Sequence, residues 1–260
     1  MSVRALRASG ETAARRVVAE RGGLLLVVGL YVLVVAVLSA LWRAAAGANG
    51  GEVVGYSAVA LTWYIATTEA ATISISSRLI EEVGDDIGSG AVAVELLRPA
   101  TVVWVRVAAE VGRVLPKVGL LAAVGAVAAT VMSGAPPRPS TLLLALPSLV
   151  LAVACNVVCQ HGFAAAAFWL RDAGSAWFLY QKLVFVLGGM LIPLEALPAR
   201  LHDVARVLPF NAMAYAPARL AAGHAEARLL LEQAAWLGVL GVLTAAAFRA
   251  GERRLQVVGG

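Results

Sequence analysis

Long apolar segments recur along this chain, and they restrict it to a membrane protein built of helices. A helix of about 20 apolar residues crosses about 30 Å of hydrocarbon, and runs of this length, rich in Ala, Val and Leu, are found throughout the sequence. The runs are continuous, whereas the strands of a membrane β-barrel alternate between apolar and polar residues. The chain is 60% hydrophobic and 14% charged, against about 25% charged residues in an average soluble domain. The sequence therefore predicts an all-α membrane protein.

The pattern of apolar and charged segments predicts one transmembrane domain of six spans. The predicted spans are residues 23–41, 55–75, 115–132, 142–170, 177–192 and 229–248. Residues 1–21 mix Arg with Val and Leu, which favours an amphipathic helix on the cytoplasmic leaflet, with a solvated basic tail as the alternative. Residues 81–114 carry too many charges to cross a bilayer and are predicted to form a loop. Residues 193–217 are interrupted by prolines and charges, which favours a re-entrant hairpin at the outer surface.

The distribution of basic residues predicts the orientation of these spans. With both termini and residues 81–114 in the cytoplasm, 15 of the 21 basic residues lie on the cytoplasmic side. This agrees with the tendency of Lys and Arg to concentrate in cytoplasmic loops. Topology also accounts for the net charge of +5, so the charge does not require a nucleic-acid partner. We expect a multi-pass protein of the cytoplasmic membrane whose two termini are both cytoplasmic.

No motif in the sequence predicts an enzyme, a metal site or a cofactor. A phosphate-binding P-loop needs Lys followed by Ser or Thr, but Lys117 and Lys182 are followed by Val and Leu. The motifs H-E-x-x-H and G-x-S-x-G do not occur, and the three histidines lie in separate elements. Cys155 and Cys159 lie in one apolar run, where each is expected to be a small packing residue.

Polar side chains inside the predicted spans form a second group of candidate functional residues. They are Thr68, Glu69, Asn156 and Gln160. A carboxylate within a span is by default a candidate for a proton or cation relay, which would suit a secondary transporter. The alternative is a structural role, in which Glu69 hydrogen-bonds between helices or lines a subunit interface. No intramembrane Lys or Arg is an obvious partner for Glu69, which favours the structural role.

The loop at residues 81–114 contains the densest mixture of acidic, basic and glycine residues. Asp85 and Asp86 precede Gly88-Ser89-Gly90, which allows a sharp turn, and a helical run follows from Ala91 to Arg98. Such a helix would carry acidic residues on one side and Leu96 and Leu97 on the other. It could bind in a groove of a partner protein, although a solvated interfacial loop fits the periodicity equally well.

The segment DDIGSGAVAVELLRP at residues 85–99 resembles the conserved cytoplasmic segment of ABC type-2, export-type permeases, particularly an uncharacterised six-span subgroup. The similarity continues through GGMLIPLEALP at residues 188–198, LPF at residues 208–210, the stretch at residues 217–223 and the final VVGG at residues 257–260. It covers essentially the whole chain in order. One departure is Gly88, where the pattern of this family usually has a basic residue, so a partner contact at Gly88 is in doubt.

The resemblance implies a transmembrane subunit of an ATP-driven exporter, which has no ATP site of its own. Such permeases act as homodimers or heterodimers with a second permease subunit, and each engages a separate ABC ATPase subunit. The residues implied to contact the ATPase are Asp85, Asp86, Ile87, Glu95, Leu96, Leu97 and Arg98. The residues implied to form an outer gate are Pro193, Leu197, Pro198, Leu208, Pro209 and Phe210. Two alternatives remain open, namely an ion-coupled secondary transporter that uses Glu69 and a membrane scaffold or immunity protein that transports nothing.

Overall fold

A computed structural model describes residues 3–19, 21–76, 78–92, 102–136, 139–170 and 173–258, and these residues are mainly helical. Ten α-helices are named in chain order for the description below. They are α1 (Val3–Ala19), α2 (Arg21–Ala48), α3 (Ala58–Ile73), α4 (Leu79–Gly88), α5 (Val102–Ser133), α6 (Pro139–Ala164), α7 (Gly174–Leu187), α8 (Ala199–Val207), α9 (Tyr215–Ala221) and α10 (Arg228–Val258). Short 3₁₀ turns lie at Ala165–Phe168, Leu194–Ala196 and Pro209–Ala212.

Four helices among the described residues are long and apolar enough to cross a membrane. These segments are Gly22–Ala48, Val103–Ser133, Pro139–Phe168 and Arg228–Arg254. They coincide with the first, third, fourth and sixth predicted spans. The other two predicted spans contain shorter helices, α3 with 16 residues and α7 with 14. At 1.5 Å per residue, α3 is about 24 Å long and α7 is about 21 Å long. Both are shorter than the hydrocarbon core of a bilayer, which is about 30 Å thick.

The helix α3 lies in the interior of the bundle. It is preceded by a two-stranded antiparallel hairpin of β1 (Glu52–Val53) and β2 (Tyr56–Ser57). Ser57 caps the helix, because its hydroxyl accepts a hydrogen bond from the Ala60 backbone N–H at 3.2 Å. Ten consecutive or near-consecutive residues of α3 are buried, and the helix packs against α2, α5, α6 and α9. A helix that is buried on all sides suits its continuous apolar sequence.

The remaining long helices surround this interior and differ in how much they are buried. In the most apolar stretch of α6, 56% of the residues are buried, whereas in that of α2 only 17% are buried. Large apolar side chains, including Leu25, Leu26 and Leu33, are more than half exposed on α2. Apolar surface of this extent is expected where a helix faces lipid or another subunit.

The helix α1 packs on α5 through a backbone contact at two glycines. A side chain at Gly112 would overlap the backbone of Gly10, so neither helix could approach the other this closely with a larger residue. The helix α5 begins at Val102, well before residue 115, where the sequence predicted the span to start. The second half of the predicted 81–114 loop is therefore a continuation of the span helix, and Pro116 lies within it.

Candidate functional site

The helix α4 is amphipathic and lies at one end of the bundle, here called the α4 end. Its buried side is apolar and consists of Leu79, Ile80, Val83 and Ile87. Its opposite side carries Glu82 and Asp85, which are both exposed. Glu81 and Glu82 lie in the first turn, where a negative charge is favourable for the helix dipole. The helix thus presents negative charge outward while its apolar side anchors it to the bundle.

A glycine allows α4 to lie directly on the neighbouring helices. A Cβ atom at Gly84 would overlap the Cβ atom of Ala173, which immediately precedes α7. The same Cβ would lie 3.5 Å from the Cβ of Ala167, in the 3₁₀ turn that follows α6. The helix α4 accordingly contacts α6, α7 and the turn between them. A displacement of α4 cannot be absorbed by side chains at this contact, because only small residues meet there.

An ion pair connects α4 to α5 as well. Arg106 Nη1 donates to Asp86 Oδ2 at 2.7 Å, and the Arg106 side chain is only 18% exposed. One turn further along α5, Glu110 is buried and pairs with Arg113 at 2.6 Å. The α4 helix is therefore joined by charge to one long helix and by close packing to two others.

The residues implied to contact an ATPase occupy different environments. Asp85 is exposed, and Asp86 is half-buried in the ion pair with Arg106. Ile87 is 3% exposed and belongs to the apolar core, so its side chain faces the bundle in this structure. Ser89 follows the last residue of α4, and its hydroxyl donates to the Asp86 carbonyl at 3.4 Å. Glu95, Leu96, Leu97 and Arg98 lie outside the described residues.

The polar residues predicted inside the spans form two separate groups. The hydroxyls of Thr67 and Thr68 donate to backbone carbonyls of α3 itself, at 2.9 Å and 3.1 Å. Glu69 is 4% exposed, and no hydrogen bond joins it to the threonines or to the amides of α6 among the described residues. Asn156 and Gln160 instead bond to each other and to Tyr180 of α7. The structure therefore joins the two amides to a tyrosine of α7 and not to Glu69.

The residues implied to form an outer gate lie at the opposite end of the bundle, here called the hairpin end. Pro193 and Phe210 are buried, Leu197, Leu208 and Pro209 are half-buried, and Pro198 is exposed. Pro193 and Pro198 precede the 3₁₀ turn at Leu194–Ala196 and the helix α8, and Pro209 begins the turn at Pro209–Ala212. The prolines thus divide this region into short helical pieces, as expected from their missing N–H groups.

A cluster of charged and phenolic side chains holds the hairpin end together, and the sequence did not predict it. We call it the Arg219 cluster, and its members are Tyr56, Glu195, Tyr215, Arg219 and Glu226. Arg219 forms ion pairs with Glu195 and with Glu226, the latter at 2.7 Å, and donates to the Tyr56 hydroxyl at 2.8 Å. Tyr215 donates to Glu195 at 2.6 Å. One guanidinium thereby connects the β-hairpin, the segment after α7, α9 and the approach to α10.

The charges of this cluster also shift the pKa values of its neighbours. Burial alone would raise the pKa of Glu226, but hydrogen bonds from Arg219 and Arg228 and their positive charges lower it overall. Burial, reinforced by the charge of Arg219, lowers the pKa of His224. The ring of His224 lies 4.9 Å from that of Tyr56. The sequence contains one indication that Arg219 has a special role. It is one of the few basic residues on the side that the positive-inside rule assigns to the exterior.

Comparison with known families identifies one that covers almost the whole chain. The family described as ABC-2 family transporter protein matches residues 24–259. No curated protein and no solved structure matches the chain. The match begins in the first turn of α2 and includes every helix from α3 to α10, and therefore both ends of the bundle.

Proposed function

Because the chain belongs to the ABC-2 family of transporter proteins, we propose that it is the permease of an ATP-driven exporter. Family membership makes it a multi-pass membrane subunit of an ABC transporter, and it implies association with an ABC ATPase subunit. The finer assignments proposed here are the direction of transport, the surface that receives the ATPase, a dimeric translocation path and the six-span topology.

The ATPase is proposed to bind at the α4 end, on the exposed acidic side of α4 and the residues that follow it. The observation that supports this is the way α4 is attached, because Gly84 packs on Ala173 and Asp86 pairs with Arg106. A force applied to the exposed side of α4 would reach α5, α6 and α7 together. Such a rigid connection is what a coupling element needs in order to convert ATPase closure into helix movement.

In the membrane, the α4 end is proposed to face the cytoplasm and the hairpin end the exterior. The two short helices α3 and α7 would complete six spans, with the adjoining residues 74–76 and 188–192 extending them across the bilayer. A second permease subunit, either the same chain or a different one, would pair with this one to enclose the path. The exposed apolar sides of α2 and α7 are the proposed sites of lipid and subunit contact.

Charge reversal at Asp85 tests the proposed coupling surface. Asp85 is exposed and makes no ion pair among the described residues, so Asp85→Arg should insert and fold normally. We expect it to reduce ATPase binding by about tenfold, as for loss of a favourable charge contact at an interface. The measurement is co-purification of the tagged chain with its ATPase subunit, followed by the permease-dependent increase in ATP hydrolysis.

Glu52→Arg provides the matched control, because Glu52 is an exposed acidic residue in β1 at the other end of the bundle. It should leave ATPase binding and stimulation unchanged. Equal behaviour of the two variants, whether both active or both inactive, would refute the coupling role of α4.

Cysteine labelling tests the orientation. Cys155 and Cys159 are buried, so a single added cysteine is the accessible thiol among the described residues. Glu52→Cys should react with a membrane-impermeant maleimide in intact cells, and Ser89→Cys only after the membrane is made permeable. The opposite pattern would contradict the proposed direction of the chain.

A further inference from the structure

A cavity of about 340 Å³ lies between the end of α3, the middle of α6 and the outer side of α7. Its inner wall consists of the polar side chains of Asn156, Gln160 and Tyr180. Its outer rim includes Trp177, Lys182 and Phe185, which all belong to α7. The lining also includes Thr72, Ser76 and Gln181, so the cavity combines a buried polar wall with a rim of mixed polar and apolar side chains.

The inner wall has hydrogen-bonding capacity that the protein leaves unused. Asn156 Oδ1 accepts two hydrogen bonds, from Gln160 Nε2 at 2.8 Å and from the Tyr180 hydroxyl at 2.6 Å. The Asn156 amide nitrogen and the Gln160 carbonyl oxygen have no hydrogen-bond partner within the described part of the chain. Both side chains are 5% exposed, and both line the cavity. Because both side chains line the cavity, a ligand with a donor and an acceptor could hydrogen-bond to these two groups.

The rim carries a positive charge without a counterion. Lys182 is exposed, and no carboxylate lies within ion-pair distance of it among the described residues. Its ammonium lies 5.0 Å from the centre of the Phe178 ring. The Lys182 side chain also lines the cavity. A lysine near hydrocarbon is favourable only with an anion or water as partner.

The apolar part of the rim can receive a hydrocarbon chain. Phe185 is 43% exposed, and Trp177 and Met190 also line the cavity. These side chains are continuous with the exposed apolar surface of α7, where Phe178 and Leu179 are more than half exposed. A molecule that lies in the membrane could thus reach the polar wall without leaving an apolar environment.

We propose that this cavity binds an amphiphile with an anionic, hydrogen-bonding headgroup and a hydrocarbon tail. The headgroup would contact Lys182, Asn156 and Gln160, and the tail would lie against Trp177 and Phe185. The inference rests on the proposed function, because it takes amphiphiles of this class to be the substrates that the exporter carries.

Quenching of tryptophan fluorescence by brominated amphiphiles tests the proposal. The purified chain is placed in nanodiscs of phosphatidylcholine and titrated with 12-bromododecanoate or 12-bromododecanol, which share a tail and differ in charge. The signal of this site is the quenching that is lost in Trp177→Phe. We expect quenching by the acid to saturate, with a half-saturating concentration about tenfold lower than that of the alcohol. A difference of this size corresponds to one charge-assisted contact. Bromoacetate, which has the charge without the tail, should not quench.

Two variants identify the residue responsible for the preference. Lys182→Gln should raise the half-saturating concentration of the acid about tenfold and remove its advantage over the alcohol. Lys117→Gln removes a lysine from α5, away from this cavity, and should change neither value by more than about twofold. Because Lys182 is exposed, its replacement should not alter thermal unfolding, which serves as the check on folding.

A further experiment determines whether the ligand is a two-chain membrane lipid or a free single-chain acid. Nanodiscs that contain dibrominated phosphatidylglycerol are compared with nanodiscs that contain dibrominated phosphatidylcholine at the same fraction. Stronger Lys182-dependent quenching by the anionic lipid would identify a two-chain lipid, and quenching by bromododecanoate alone would identify a single-chain amphiphile. Equal quenching by charged and uncharged probes, or an unchanged preference in Lys182→Gln, would overturn the proposal.

These measurements contain no ATPase, so their outcome is independent of the coupling experiment on Asp85. Binding without ATPase recruitment would refute the exporter and retain the cavity. Recruitment without selective binding would retain the exporter and refute this substrate class.

Discussion

The two ends of the bundle are held together in different ways. At the α4 end, small residues and one ion pair attach an amphipathic helix, and acidic side chains such as Asp85 remain exposed and unpaired among the described residues. At the hairpin end, Arg219 gathers Glu195, Glu226 and Tyr56 from three different segments into one cluster. The first end leaves acidic side chains exposed, and the second pairs its charges internally. This difference suits a protein that is driven at one end and closed at the other.

Removing the guanidinium of Arg219 should have the largest effect on stability. The Arg219 side chain is 18% exposed, and Arg219→Gln would leave Glu195 and Glu226 with their main partner missing. Loss of one partner of a mostly buried ion pair typically costs about 3 kcal/mol or more. Thermal unfolding in detergent measures the change.

Arg228→Gln is the control for this variant, because Arg228 pairs with Glu226 but is 63% exposed. It should cost no more than about 1 kcal/mol. If both arginine variants unfold alike, the Arg219 cluster does not hold the hairpin end together.

Widening the contact beneath α4 should have the next largest effect. In Gly84→Ala the added methyl would overlap Ala173, and overpacking of this kind costs about 2 kcal/mol. We expect α4 to be displaced, with loss of ATPase stimulation before loss of the folded bundle. Limited proteolysis at the α4 end and ATP hydrolysis by the assembled complex measure the two effects.

The matched control lies four residues away in the same helix. A side chain at Gly88 would meet nothing within 4 Å, so Gly88→Ala should be neutral or stabilise α4 by up to about 1 kcal/mol. Impaired coupling in Gly88→Ala with normal coupling in Gly84→Ala would contradict the packing argument.

Acid should weaken the hairpin end in two stages. Burial and the charge of Arg219 lower the pKa of His224 in the folded protein. As the pH falls below about 6.5, the histidine is therefore protonated in the unfolded chain before it is protonated in the folded one, and the free energy of unfolding decreases. The pKa of Glu226 is also lowered, so its contribution is complete above about pH 4.5 and is lost as the pH falls through its folded pKa. Unfolding temperatures between pH 8 and pH 5 measure the first stage, and those between pH 4.5 and pH 2 measure the second.

His224→Asn should remove the first stage and leave the second. A decline between pH 6.5 and pH 5 that persists in His224→Asn would assign this stage to other groups.

Neutralising Glu69 should have the smallest effect on export. The carboxylate is 4% exposed in α3, between the two ends, and ATP supplies the energy in the proposed mechanism. Glu69→Gln should therefore leave ATPase stimulation and ATP-driven transport within about twofold of the original chain, as for a mutation outside the driving contact. Abolished transport with normal ATPase stimulation would instead support an ion-coupled transporter.

The sequence predicted the long helices well because a run of about 20 apolar residues has few alternatives to a membrane helix. The prediction differed from the structure where it took charged residues to mark the end of a membrane-spanning helix. Arg106, Glu110 and Arg113 exclude hydrocarbon, but they do not end a helix, and α5 therefore begins at Val102. The helix α4 at Leu79–Gly88 was not predicted, whereas the turn predicted at Gly88-Ser89-Gly90 agrees with the end of α4 at Gly88 and the positive φ of 77° at Gly90. Most of the helix predicted from Ala91 to Arg98 lies outside the described residues.

The candidate sites were less predictable because their members are distant in the sequence. Tyr56 and Arg219 are separated by 163 residues, and Tyr180 and Asn156 by 24 across a helix junction. Periodicity identifies which side of a helix is polar, but it does not identify the opposing side chain. The importance of Gly84 was hidden for the same reason, since only the position of Ala173 in space explains it.

The crossing of α1 and α5 at Gly10 and Gly112 would make the orientation of α1 depend on the thickness of the bilayer. With 32 residues, α5 is about 48 Å long, which exceeds the hydrocarbon core and leaves its first turns outside. A thinner or thicker membrane changes the tilt of such a helix. Because α1 is fixed to α5 by a contact between backbones, α1 would rotate with α5. Lipid composition would then adjust the angle at which the α4 end meets its ATPase.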